Sequence, residues 1–195
     1  MTPTARVIAI ASLLFSLAPL SQASIIHYTA GLAPEAGGAT GTGFVSVDYD
    51  TVANTLLIDA NWSGLSGITT VAHIHCCTAA PGTGTIGVAV TPGTLPGFPV
   101  GVSAGSYTSP LIDLDDPANF TAGFITNFAG GVAANADDAL IAGIDAGLAY
   151  FNIHSTTFPG GEIRGFLQQV PEPATLALLA FGLAGLGFAR RRKQR

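Results

Sequence analysis

The chain predicts a mainly β fold: an antiparallel Greek-key β-sandwich with one or two short helices inserted late in the sequence. Three observations carry that expectation. The 195 residues include 25 glycines and 12 prolines, so regular segments must be short and often broken. Between the breaks lie apolar or alternating runs of strand length, rich in Val, Thr, Ala and Ile. Helical spacing is confined to two stretches, both beyond residue 115.

Taken in order, the expected strands are residues 25–30, 43–49, 55–62, 69–75, 85–90, 106–111, 149–154 and 162–167. Asp50 to Asn54 reads as a hairpin loop, so the runs on either side of it should pair antiparallel. Residues 92–105 hold four glycines and three prolines and read as a long irregular connection. Residues 116–128 open on Asp-Pro, which suits a helix start, and place Phe120, Phe124 and Phe128 four apart. Residues 135–147 open on a capping Asn135 followed by Asp137 and Asp138. They set Leu140, Ile141, Ile144 and Leu148 on one side.

The two ends differ from the middle. Residues 1–23 carry one cation, Arg6, then an apolar stretch over 7–20 and Ser21-Gln22-Ala23. Small residues at the last and third-last positions suit signal peptidase, which places its cut between Ala23 and Ser24. At the other end Pro171, Glu172 and Pro173 stop the preceding structure. A hydrophobic helix over residues 174–189 and the basic tail 190–195 follow. That apolar run falls short of the ~20 residues of a comfortable span, which suits a transient anchor with its tail held in the cytoplasm.

One domain remains, residues 24–169. Of seven basic residues, Arg6 lies in the leader and five in the tail, so this domain keeps only Arg164. Eleven acidic residues stand against that single cation, a net charge of −10. Such a body argues against nucleic-acid or anionic-membrane binding, and its lack of lysine excludes lysine chemistry. Phosphate-loop and nucleophile-elbow patterns are absent from the sequence.

The residues that carry chemistry are few. His73 and His75 alternate with Ile74, so on a strand both imidazoles face one way and can meet one metal ion. His154, with His27 as a weaker choice, could bring a third ligand from another strand. Copper or zinc suits such ligands. Alternatively, the histidines fix neighbouring strands by hydrogen bonding. Cys76 and Cys77 are adjacent and allow a vicinal disulfide, two free thiols, bridges to another chain, or thiolate ligands beside the imidazoles. Glu162 and Arg164, two apart after a Pro-Gly-Gly turn, read as an ion pair closing a hairpin. Asp48, Asp50, Asp113, Asp115 and Asp116 read as turn and capping carboxylates rather than a calcium loop.

Two resemblances follow from these residues. Pro171-Glu172-Pro173, the apolar run and the arginine cluster together resemble the PEP-CTERM sorting signal of Gram-negative bacteria. That resemblance implies an exosortase as partner, transient residence in the inner membrane, and delivery to the cell surface or extracellular matrix. Ala72 to His75, with the run from Ala149 to Ser155 and on through Gly160 to Gly165, resembles the CHRD (chordin-type) domain. The CHRD resemblance implies an extracellular β-rich module without enzymatic activity, expected to interact with exopolysaccharide or surface proteins. The alternative is a metal-binding or redox protein built on His73, His75 and His154.

Overall fold

Alternating burial builds the first layer. β3 (Thr55–Ser63) turns Leu56, Ile58, Ala60 and Trp62 inward and exposes Asp59, Asn61 and Ser63. β2 (Thr42–Asp50) pairs antiparallel with it from Thr42↔Ser63 to Asp50↔Thr55. β1 (Ile25–Pro34) pairs with β2 from Ile25↔Asp50 to Leu32↔Gly43. The expected hairpin loop joins β2 to β3. Asp50 Oδ1 accepts the amides of Val52 and Ala53 at 2.8 and 2.9 Å, and Asn54 takes a φ of 50°.

The computed structural model describes residues 24–171. The leader with Ala23, the sorting residues Glu172 and Pro173, the C-terminal hydrophobic helix and the basic tail lie outside the described residues. Among those described, no helix is long and apolar enough to cross a membrane.

The second layer is β4 (Thr69–His75), β5 (Val88–Val90), β8 (Tyr150–Ser155) and β9 (Ile163–Phe166). β6 (Gly105–Thr108) and β7 (Ile112–Asp113) extend the first layer beside β3, and β10 (Gln168–Gln169) lies on β1. The continuous order is β5-β4-β8-β9-β1-β2-β3-β6, antiparallel throughout. The two layers share a strand rather than standing as separate sheets. β1 runs past the expected Ala30, and its Ala33 and Pro34 pair with Arg164 and Ile163 of β9. The sheet therefore curls around its core at β1.

Three other elements depart from the sequence reading for local reasons. The strand expected over 106–111 ends at Thr108, because Pro110 cannot donate to the ladder, and pairing resumes in β7. The strand expected over 85–90 shrinks to Val88–Val90. The helix expected over 116–128 divides into a 3-10 turn, Pro117–Asn119, and α1 (Ala122–Phe128), since Phe120 between them is extended at φ −115°, ψ 148°. The Thr121 hydroxyl then caps α1 by accepting the Phe124 amide at 3.2 Å. Phe120, Phe124 and Phe128 still stack in series, with centroids 5.8 and 5.6 Å apart.

α2 (Ala136–Asp145) buries Leu140 and Ile144, as its spacing requires. Asn135 makes no side-chain capping bond there, and Asp137 and Asp138 favour the helix start through the dipole instead. The core lies between the layers and α2. Ile58 and Val47 meet Ile74, Phe151, Ile153 and Ile163 there, all without solvent exposure. Burying each such side chain contributes about 1.5–3 kcal/mol.

Candidate metal centre

β4 and β8 lose the alternation seen in β3: His73 to His75 and Tyr150 to Ile153 are buried on both faces. One face is the core, made by Ala72, Ile74, Phe151 and Ile153. The register explains the other. His73 pairs with Asn152, His75 with Tyr150, and Val71 with His154, so the three histidines, Tyr150 and Asn152 share the outer face. Loops close over that face. The structure thus brings His73, His75 and His154 together, each offering a ligand atom within 4.8 Å of the others. His27 does not join them; it is exposed and bonded to Asp48 at 2.7 Å.

Hydrogen bonding fixes the tautomers. His73 Nε2 donates to Gly93 O at 2.9 Å, His75 Nδ1 to Ile86 O at 2.7 Å, and His154 Nδ1 to Pro159 O at 2.7 Å. A carbonyl can only accept, so each of those nitrogens carries the proton and the neutral ring's lone pair sits on the other nitrogen. His73 Nδ1 and His154 Nε2 are buried without a hydrogen-bond partner. Burial, reinforced by the neighbouring His154 and His75, holds the His73 ring down at about 4 despite the Gly93 bond. Burial also lowers His75. Two of the three rings are therefore neutral at neutral pH, the state that ligates.

The surroundings are aromatic and anchored. His75 stacks on Tyr150 with centroids 4.7 Å apart and planes within 5°. Arg164 lies over Tyr150 and Phe166, 5.0 and 5.6 Å from their centroids, donates to Gly84 O at 2.9 Å and meets Glu35 at 3.6 Å. This corrects the expected Glu162–Arg164 ion pair. β9 begins only at Ile163, so strand alternation does not reach back to Glu162. Glu162 is fully buried and accepts the Ser66 amide.

Cys76 and Cys77 are joined by a disulfide. Cys76, the residue after His75, is buried in the hydrophobic core, and a Cβ added at Gly143 of α2 would overlap both sulfurs. Bonded to each other, the sulfurs are not thiolate ligands for the histidine cluster. The loop carboxylates serve locally, Asp116 capping Ala118 N at 2.9 Å and Asp115 accepting from Asn54 Nδ2 at 2.7 Å. Sequence reasoning missed Asn152, Tyr150 and Glu35. Tyr150 and Asn152, four and two residues before His154 on the same strand face, were legible by alternation; Glu35 carried no such signal.

A family model described as the CHRD domain matches residues 20–167, and the chain belongs to that family. Residues 169–193 match the PEP-CTERM protein-sorting motif. The protein is therefore an exported exosortase substrate, anchored transiently in the membrane by its C-terminal tail and delivered to the cell surface. Neither family is enzymatic. Neither a curated protein nor a solved structure matches the chain.

Proposed function

We propose that this surface-delivered CHRD module binds one transition-metal ion, copper or zinc, through His73, His75 and His154. One observation carries the reading. Three rings from two strands each give one N–H to a loop carbonyl, and each ring offers a ligand nitrogen within 4.8 Å of the others. Outer hydrogen bonds of this kind orient metal-bound imidazoles and raise their basicity. Histidines that merely tied strands together would have no reason to leave two buried nitrogens unpartnered. Three imidazoles are the protein ligand count of open zinc sites and suit copper equally. Ligands about 2.1 Å from a tetrahedral ion stand roughly 3.4 Å apart, so the rings draw in on binding.

Among the described residues no surface singles itself out for exopolysaccharide or a surface protein, and the reading rests on the histidines alone. The test uses the purified exported protein, stripped with a chelator and dialysed against copper or zinc. Elemental analysis should find one ion per chain, lost in His73→Ala/His75→Ala. A stripped wild type that takes up neither metal under replete conditions overturns the proposal.

A further inference from the structure

Asn152 sits at the centre of the histidine face, 1 % exposed, directly opposite His73 in the register and two residues from His154. Its Oδ1 lies 3.1 Å from His75 Nε2. Its Nδ2 is turned the other way, toward Glu35 Oε2 at 3.4 Å. Glu35 is itself anchored: its amide donates to Glu162 O at 2.9 Å, and its carboxylate meets Arg164 at 3.6 Å. Gly161 makes room for this chain. It has φ +126°, and a Cβ there would lie 2.5 Å from Glu35 Oε2 and 2.9 Å from Asn152 Nδ2. The amide is thus held with its oxygen facing the histidines.

The facing atoms pose a problem that a proton cannot solve in a metal site. With the metal reading above, on which this inference rests, His75 gives its one N–H to Ile86 O and presents a lone pair at Nε2. The atom opposite, Asn152 Oδ1, is also an acceptor. Two acceptors 3.1 Å apart call for a cation between them. Two ligands about 2.1 Å from one ion, separated by that distance, subtend roughly 95°, below the tetrahedral angle, so this pair opens by a few tenths of an ångström on binding.

We propose that Asn152 Oδ1 is the fourth protein ligand, completing an N3O set with His73, His75 and His154. The site is then closed by the protein rather than left with an exchangeable position, which favours holding the metal over presenting it to a substrate. Glu35 and Arg164 act as positioning residues that aim the amide oxygen.

Cobalt(II) substitution tests this, because its visible absorption reports coordination number and donor type. The Co(II)-loaded exported protein should change its d–d spectrum in Asn152→Leu, with Co(II) and Zn(II) affinity falling about 10–100-fold. Asn152→Asp, which keeps the oxygen and adds charge, should retain the wild-type spectrum in outline and bind about tenfold or more tightly; it also serves if Asn152→Leu fails to fold. A Co(II) spectrum and affinity unchanged in Asn152→Leu, or an unchanged affinity in Asn152→Asp, overturns the assignment while leaving three-histidine binding intact. Wild-type protein that takes up no Co(II) or Zn(II) instead removes the metal reading itself.

Discussion

His73→Phe separates the buried histidine's protonation from everything else the ring does. In the unfolded chain His73 titrates at its ordinary 6.5, whereas burial holds the folded ring at about 4. As pH falls below 6.5 the unfolded chain takes up the proton first, so acid favours unfolding. The loss accumulates until about pH 4 and then stops, because the folded ring also protonates. At 1.36 kcal/mol per pKa unit the ceiling is about 3 kcal/mol, and solvent still reaching the site trims it to about 1–3 kcal/mol. Phenylalanine keeps a ring of similar bulk and cannot titrate. It also leaves Gly93 O without its partner, which lowers stability by about 1 kcal/mol at every pH and does not alter the slope. The assay is urea denaturation of metal-free protein, with chelator present, at steps from pH 7 to 4. The wild type should lose about 1–3 kcal/mol more than His73→Phe across that range. Parallel stability curves would refute the claim that His73 is held neutral.

The other predictions follow from the same geometry. Zinc at a hundredfold excess over its dissociation constant should stabilise the wild type by about 2.7 kcal/mol, or roughly 5–11 °C in Tm for a domain of this size. His154→Ala should show little of that shift in a thermal melt. Gly143→Ala gains about 0.5–1 kcal/mol of helix propensity but drives a methyl group into Cys76 and Cys77. Its net effect on Tm should be destabilising, and a stabilised variant would contradict the seating of α2 on the disulfide. Intact mass of the exported protein should show a chain starting at Ser24 and ending near Pro171 to Pro173. A species retaining Arg195 would count against exosortase processing.

Strand positions were legible because the first layer obeys simple alternation. Thr55–Ser63 shows one face of Leu56, Ile58, Ala60 and Trp62, so a period of two is visible without any tertiary knowledge. The shared role of β1 was not legible, since the pairing of Ala33 and Pro34 with β9 depends on contacts more than a hundred residues away in sequence. The histidine site was half legible. His73-Ile74-His75 announces two co-facial imidazoles, and the structure sets His154 beside them. Nothing in the chain shows that Gly93, Ile86 and Pro159 supply the orienting carbonyls, because backbone acceptors carry no residue signature. Arg164 misled for a related reason. The nearby Glu162 looked like its partner, yet the charge that reaches it comes from Glu35, brought across by the curl of β1.

Anomalous diffraction from crystals of the zinc- or copper-loaded protein tests the central claim most directly. A single strong peak should lie among His73 Nδ1, His75 Nε2 and His154 Nε2, with each ring's other nitrogen still on its loop carbonyl. Full occupancy at some other position, with the three rings unmoved and unligated, would contradict it.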